Sequence, residues 1–259
     1  MSDQSNMSFL NHLEELRWRL VKCAIAILIF AIAIWVCHQL IMDHLFLVML
    51  KSDFITFQIF CKYLGVCVEN APVQMQSTTV SGQFSYAILM SLMGGVVLAF
   101  PFIVFQLWKF VQPGLKGNEK KGIKGIVFYI SLLFFLGILF GYFVVAPLSV
   151  MFFGTFTMSP NIENNFTINS YMSLILSAIF YCGLFFLLPI VSYFLTKIGL
   201  FGSGFLKKYR KHALVFILIL SAIITPPDVF SQIVVTIPVY LLYEISILVA
   251  KRIEKKREF

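Results

Sequence analysis

Charged residues are scarce in this sequence. Only 12% of its 259 residues are charged, whereas 59% are apolar and 29 are phenylalanine. Soluble globular proteins carry about twice that share of charge, roughly 25%. A soluble domain of this size has no means of burying so much apolar surface behind so few charges. The shortage excludes a cytosolic enzyme, a disulfide-dense secreted module and a disordered tail, and it leaves a membrane protein.

Signatures of catalysis and cofactor binding are also missing. The nucleotide-binding loop motif is incomplete. Gly117 and Gly122 have the required spacing, but Ile123 stands where the motif needs a lysine. The four histidines form no metal-ligand pair at helical spacing, and no Cys-x-x-Cys occurs. No Ser, His and Asp set falls at one membrane depth. We therefore expect no enzyme activity, no metal and no cofactor.

Apolar segments dominate what is present. A membrane-spanning helix needs about 20 mostly apolar residues to cross a hydrocarbon core of about 30 Å. Six segments meet or approach this length: Leu20–Cys37, Phe84–Phe110, Ile126–Pro147, Tyr171–Leu195, Ala213–Ile224 and Val229–Ala250. The sequence contains no internal repeat. It therefore predicts an all-α polytopic membrane protein, with residues 1–259 forming a single domain of six transmembrane helices.

The positions of the basic residues predict how these helices are oriented. The net charge of +8 comes from 20 Lys and Arg against 12 Asp and Glu. Six crossings place 18 of the 20 basic residues on the side that holds both termini, and only Lys51 and Lys62 on the other. Loops rich in Lys and Arg stay in the cytoplasm. Both termini are thus predicted to be cytoplasmic, and the positive charge needs no nucleic-acid partner.

Spans five and six are unusual. The apolar run of span five, Ala213–Ile224, has 12 residues, or about 18 Å at 1.5 Å per residue. The connecting turn, Thr225–Asp228, contains two prolines, and Pro238 and Glu244 interrupt span six. Short helices force the bilayer to thin or draw polar flanks inward. Two interpretations stay open: neighbouring elements cover the helix ends, or the region is a functional thin patch.

The first outer loop, His38–Gln83, contains two apolar stretches, Leu45–Leu50 and Phe54–Phe60. Both are too short to span a membrane, and we expect helices lying across the outer face. Cys61 and Cys67 lie in the same loop. In an oxidising compartment they are candidates for a disulfide, and two unrelated cysteines are the alternative.

Two glycines in span three, Gly137 and Gly141, have the four-residue spacing that lets membrane helices approach closely. We interpret them as packing residues.

Acidic residues on the basic side are candidate ligand-binding groups. Glu14 and Glu15 stand close to Arg17 and Arg19, and Glu119 stands among lysines. A carboxylate accepts two parallel hydrogen bonds from a guanidinium, so a glutamate at the membrane surface can act as an arginine receptor. Ordinary charge balance with the neighbouring cations is the alternative interpretation.

Four stretches carry a family resemblance, in order along the chain. They are Phe9–Leu20 (FLNHLEELRWRL), Phe105–Leu115 (FQLWKFVQPGL) with Glu119 beyond it, Gly141–Leu148 (GYFVVAPL) and Ile224–Gln232 (ITPPDVFSQ). The first stretch is similar to the N-terminal H-L-x-E-L-R-x-R-L signature of the TatC family. The second is similar to the first cytoplasmic loop of that family, and the fourth to its T-P-P-D-x-x-S-Q turn. That family is the multi-spanning core subunit of the twin-arginine protein translocase.

The resemblance implies a cupped, six-helix receptor in the bacterial inner membrane. It binds the twin-arginine signal peptides of folded cargo and has no catalytic residues. Carried onto this sequence, Glu15 and Glu119 accept the two guanidinium groups, and Arg17 and Phe110 shape the site. The residues implied to be structural or capping are Pro113, Tyr142, Pro226, Pro227 and Asp228.

The resemblance also implies partners. Single-span TatA- and TatB-type subunits would lie against spans five and six, where Thr225 and Gln232 would bond a polar side chain in the partner helix. Helix capping is the alternative role for Thr225 and Asp228. The family further implies contact with membrane lipids, a homo-oligomeric arrangement within the complex, and export driven by the proton-motive force.

One position departs from the family pattern. Leu187 stands two residues before Pro189, where the family usually has Glu or Gln, so a mechanism that needs a polar group there is in doubt. The competing function is a small-molecule transporter or channel, which needs polar residues at mid-membrane depth. Spans one to four carry almost none. An intramembrane enzyme is disfavoured by the missing catalytic set.

Overall fold

The computed structural model describes residues 9–51, 53–64, 75–111, 123–159, 165–197, 199, 201–224 and 229–257. This part of the chain is mostly helical. Its helices are α1 (Phe9–Val36), α2 (His38–Ile41), α3 (Ile55–Leu64), α4 (Gly82–Val111), α5 (Ile123–Phe140), α6 (Ala146–Thr155), α7 (Ile168–Phe185), α8 (Leu188–Lys197), α9 (Ser203–Lys208), α10 (Arg210–Ile224) and α11 (Val229–Arg257). Residue contacts divide the chain into two compact units, Met1–Ile41 with Ala87–Leu132, and Met42–Tyr86 with Leu133–Phe259.

Shorter elements connect these helices. Met42–Phe46 and Gly141–Val145 form π-helical turns, and Leu47–Leu50 forms a 3₁₀ helix. Strand β1 (Met75–Gln76) pairs in parallel with β2 (Phe166–Thr167), with Met75 opposite Phe166. The described chain is therefore an α-helical protein with one two-residue strand pair.

Five helical stretches within the described ranges are long and apolar enough to cross a membrane: His12–Val36, Gly82–Phe110, Gly125–Thr155, Ile168–Lys197 and Gln232–Lys255. They correspond to predicted spans one, two, three, four and six. The segment predicted as span five forms α10, whose 15 residues extend about 22 Å. The prediction of a helical membrane protein is confirmed, while a sixth crossing stays a prediction.

In the first unit, α4 approaches the backbone of α1 closely at two glycines. A Cβ atom placed on Gly95 would lie 2.8 Å from the Ile27 carbonyl oxygen and 2.9 Å from the Ala31 nitrogen. One placed on Gly94 would lie 2.5 Å from the Ile34 side chain. These glycines set the spacing of α1 and α4, and so bring the polar ends of the two helices together.

In the second unit, the core forms where α7, α10 and α11 meet the π-helical turn. Its buried members are Val145, Ala178, Cys182, Ile217, Val235 and Val239. The π-helical turn and the helix before it lie against α7 at two glycines. A Cβ atom on Gly137 would lie 2.5 Å from the Cys182 carbonyl oxygen, and one on Gly141 would lie 2.8 Å from the Ile179 Cα. The interpretation of both glycines as packing residues is confirmed.

The loop after α1 is tied to the helices of the second unit by side-chain hydroxyls. Tyr142 donates a hydrogen bond of 2.9 Å to the Leu45 carbonyl oxygen, and Tyr171 donates one of 2.5 Å to that of Phe46. The predicted short helices form at Leu47–Leu50 and Ile55–Leu64. These contacts pull the apolar loop inward, which leaves Met49 fully buried.

The cysteines of the described chain differ in state. Cys61 is disulfide-bonded, whereas Cys23, Cys37 and Cys182 are free thiols. Cys67 lies outside the described residues, so its pairing with Cys61 stays a prediction.

Three helices differ in extent from the sequence expectation. Helix α11 continues through Pro238 and Glu244, which were expected to interrupt it. Membrane helices tolerate a proline when neighbours satisfy the freed backbone groups, and Arg210 neutralises Glu244 across the helix pair. The third span continues to Thr155, past the predicted Pro147. A two-residue turn at 186–187 breaks the fourth span between α7 and α8.

Candidate functional site

The carboxylate of Glu15 is the centre of a polar cluster in the first unit. It lies two turns into α1, and 27% of its side chain is exposed. Its Oε1 accepts a hydrogen bond of 3.0 Å from Arg19 Nε and a second bond from Arg19 Nη2. Its Oε2 is buried and has no hydrogen-bond partner among the described residues. One oxygen is therefore held in place, and the other keeps its full capacity to accept.

Arg19 joins this carboxylate to α4. Its Nη1 lies 3.4 Å from the Oε1 of Gln106 and 3.5 Å from the Gln106 carbonyl oxygen. Gln106 is buried, and only 17% of the Arg19 side chain is exposed. Charge-assisted bonds in partly buried surroundings hold a fixed geometry better than exposed ion pairs do. The Glu15 carboxylate is thereby oriented by residues of two helices.

An aromatic contact covers one flank of the cluster. The imidazole of His12 stacks on the Phe110 ring, with centroids 4.2 Å apart and planes inclined by 12°. The same histidine lies one helical turn before Glu15, with its Nδ1 4.0 Å from Glu15 Oε2. Phe110 thus contacts the site through His12.

Arg17 has a different environment. Its side chain is exposed, and its guanidinium carbon lies 5.6 Å from the centre of the Trp18 ring. It points away from the described polar cluster, because residues two positions apart face different sides of a helix. The arginine that bonds Glu15 is Arg19. Glu119 and Pro113 lie outside the described residues, so their predicted roles stay predictions.

Of the predicted partner-interface residues, the structure describes Gln232. Its side-chain nitrogen donates a hydrogen bond of 3.0 Å to the Leu218 carbonyl oxygen, which links α11 to α10. The hydroxyls of Thr236 and Ser221 form a second link, 3.3 Å long and buried between the same helices. Thr225, Pro226, Pro227 and Asp228 lie outside the described residues. Tyr142, predicted to be structural, bonds the loop carbonyl of Leu45.

Sequence reasoning missed three contributors to the Glu15 cluster. Arg19 was detectable, because Glu15 and Arg19 have the four-residue spacing of a helical ion pair. His12 was detectable by the same rule, since it lies three residues before Glu15. Gln106 carries no such signal. Its contact with Arg19 joins positions 87 apart in the chain and depends on the packing of α4 against α1.

Comparisons with known proteins agree with the motifs. The family model described as Sec-independent protein translocase protein (TatC) matches residues 11–238. A protein of that name from Blattabacterium sp. subsp. Periplaneta americana is 39% identical over 265 residues, covering 99% of both chains. The Bacillus subtilis protein TatCy is 34% identical, covering 98% of this chain and 92% of its own.

A solved structure gives the same result at the level of the fold. The crystal structure of a twin-arginine translocase receptor, TatC, superposes with a TM-score of 0.71 at 31% sequence identity. The match covers 94% of this chain and 99% of that chain. The sequence motifs, the apolar helices and these matches lead to one conclusion: the chain belongs to the TatC family of Sec-independent protein translocases and is a membrane-embedded protein-transport component.

Proposed function

We propose that this chain is the receptor subunit that captures twin-arginine signal peptides, with Glu15 as a primary contact. The observation that carries the proposal is the asymmetry of the Glu15 carboxylate. Arg19 fixes Oε1, while Oε2 is buried and lacks a donor among the described residues. A buried acceptor without a partner costs free energy that an incoming donor recovers.

The ligand chemistry follows from the geometry of the acceptor. A guanidinium offers several N–H donors in one plane, so an arginine of the ligand can bond Oε2 while its remaining donors reach other acceptors. A lysine ammonium has no planar fork and satisfies the same site less well. The paired arginine would bond Glu119, the second acidic residue of the predicted site, with Phe110 lining the approach beside His12.

We further propose a membrane topology and an assembly for the chain. The chain would cross a bacterial inner membrane six times as a single cupped domain, with α10 as the fifth crossing and both termini in the cytoplasm. Thr225 and Gln232 would contact single-span TatA- and TatB-type subunits, and several copies would combine in one complex. The absence of a nucleotide-binding motif in the sequence supports export driven by the proton-motive force.

The test is export of a folded reporter that carries a twin-arginine signal. Cells that depend on this protein would receive Glu15→Gln or, as the matched control, Glu14→Gln. Both variants remove one negative charge from adjacent positions of α1, but Glu14 is exposed and lies outside the described cluster. We expect Glu15→Gln to reduce export at least tenfold and Glu14→Gln to leave it near the wild-type level.

Protein level and membrane insertion are measured alongside, so that loss of the protein is not counted as loss of function. If the inserted Glu15→Gln variant exports the reporter normally, the assignment of Glu15 is wrong.

A further inference from the structure

Three basic side chains are exposed at the junction of α9 and α10. Lys208 is the last residue of α9, and Lys211 and His212 lie in the first turn of α10. Tyr209 stands between the two helices with a non-helical ψ of 14°, and two backbone hydrogen bonds join it to both. Tyr209 N donates to Phe205 O at 3.1 Å, and Ala213 N donates to Tyr209 O at 2.9 Å. Two lysines and one imidazole therefore lie close together at this junction, which we call the cationic turn.

The two lysines keep their charge available to a ligand. Arg210, which lies between them, pairs with Glu244 of α11 at 2.6 Å. No carboxylate of the described chain lies within ion-pair distance of Lys208 or Lys211. The local field on this face is positive, and an anion is the ligand that it favours.

An apolar surface continues from this cationic turn along α10. The residues that follow Lys211 and His212 on the same face of α10 are Val215, Phe216 and Ile219, which are 55%, 60% and 53% exposed. In a membrane protein, exposed apolar side chains on a helix between polar ends face hydrocarbon or the apolar side of another membrane helix. The ligand of the combined surface therefore needs an anionic end and an apolar end.

With α10 as the fifth crossing, as in the proposed function, its length puts the cationic turn at the depth of lipid headgroups. Its 15 residues extend about 22 Å, less than the hydrocarbon core of about 30 Å. A helix this short draws its polar flanks toward the bilayer. Two exposed aromatic rings lie at the junction, as is typical of the membrane interface: Tyr209 and Phe205 have centroids 4.5 Å apart and planes inclined by 42°.

We propose that this surface binds an anionic phospholipid of the surrounding bilayer. The ammonium groups of Lys208 and Lys211 and a ring N–H of His212 bond the lipid phosphate, and the acyl chains lie along Val215 and Phe216. A soluble phosphate compound has no apolar part to contact the exposed face of α10. An acidic soluble peptide has no acyl chains to lie along a lipid-facing helix. The site lies in the second unit, independent of the Glu15 cluster.

Native mass spectrometry of the purified full-length protein in detergent tests this proposal. The protein is titrated with phosphatidylglycerol and, separately, with zwitterionic phosphatidylcholine. We expect wild type to prefer phosphatidylglycerol. Lys208→Gln/Lys211→Gln should weaken that binding roughly 25-fold, on the order of fivefold for each lysine. The matched control, Lys51→Gln/Lys62→Gln, removes the same charge from two other exposed lysines and should keep the preference.

A second variant separates charge from folding. Lys208→Arg/Lys211→Arg retains the charge and should bind phosphatidylglycerol within about twofold of wild type. The proposal is overturned if wild type binds the two lipids equally, or if Lys208→Gln/Lys211→Gln keeps the wild-type affinity. Displacement of phosphatidylglycerol by millimolar inorganic phosphate, or by an acidic amphipathic peptide, also overturns it.

Discussion

At the scale of single residues, the important feature is a carboxylate with two unlike oxygens. Glu15 Oε1 is saturated by Arg19, whereas Oε2 is buried without a donor in the described chain. The sequence predicted that Glu15 is an acceptor of arginine, and the structure adds that an arginine of the same chain already holds one of its oxygens. A ligand guanidinium that binds Oε2 would leave the Arg19 contact in place.

The sequence also does not predict which hydroxyl groups hold the loop after α1 in place. Tyr171 lies on α7, and its partner, the Phe46 carbonyl, is 125 positions away. A tyrosine in an apolar helix gives no indication of where its hydroxyl will bond. Only the folded loop supplies the acceptor.

Removing this hydroxyl leads to a stability prediction. Tyr171→Phe leaves the buried ring in place but deprives the Phe46 carbonyl of its donor, so we expect a loss of about 1 kcal/mol in the free energy of unfolding. The matched control is Tyr181→Phe on the same helix, where the ring is 41% exposed, and it should have little effect. Thermal unfolding in detergent measures both. Equal stability of the two variants would contradict the anchoring role of Tyr171.

At the scale of elements, hydrophobic length predicted where the helices lie, but not how they bend. The predicted spans match α1, α4, α7 with α8, and α11 to within a few residues at most ends. The π-helical turn at Gly141–Val145 and the break at 186–187 were not predicted, because hydropathy does not record how a helix is bonded. Each comes shortly before a proline of the same span, Pro147 and Pro189, and a proline has no N–H to donate to the preceding turn. The spacing of Gly137 and Gly141 did indicate a close approach.

Adding a methyl group to one of these glycines tests the packing of the elements. Gly137→Ala would place a Cβ 2.5 Å from the Cys182 carbonyl oxygen, so α5 and α7 must separate. We expect a loss of about 1–3 kcal/mol in the free energy of unfolding. Gly125→Ala on the same helix is the control, because no described residue outside the adjacent helix backbone lies within 4 Å of its added Cβ.

Alanine is the better helix former, so Gly125→Ala should be neutral or stabilising by up to about 1 kcal/mol. Chemical or thermal unfolding of the purified variants gives the comparison. A Gly137→Ala protein as stable as Gly125→Ala would show that α5 and α7 are not closely packed at this point.

At the scale of the whole molecule, the distribution of basic residues predicts the membrane topology. Because 18 of 20 basic residues fall on one side of the predicted crossings, their positions predict the orientation of the chain. Family membership and the presence of several membrane-spanning helices follow from the motifs and the fold. The number of crossings depends on α10. Its apolar run is too short for hydropathy alone to identify it as a membrane span.

Native thiols allow the orientation to be measured. Cys37 is a free, exposed cysteine directly after α1, whereas the free thiols of Cys23 and Cys182 are buried. We expect a membrane-impermeant maleimide to label intact spheroplasts at Cys37, and Cys37→Ser to remove that labelling. A cysteine placed at the exposed position 255, as Lys255→Cys, should react only after the membrane is permeabilised. The reverse pattern of labelling would contradict cytoplasmic termini.

Equilibrium binding of signal peptides separates recognition of arginine by Glu15 from the later steps of export. Purified full-length protein in detergent would be titrated with a fluorescent signal peptide carrying either Arg-Arg or Lys-Lys. We predict that wild type binds the Arg-Arg peptide at least tenfold more tightly, and that Glu14→Gln preserves this ratio. Glu15→Gln should lower the ratio severalfold, mainly through weaker binding of Arg-Arg. An unchanged ratio in a folded Glu15→Gln protein would contradict the account.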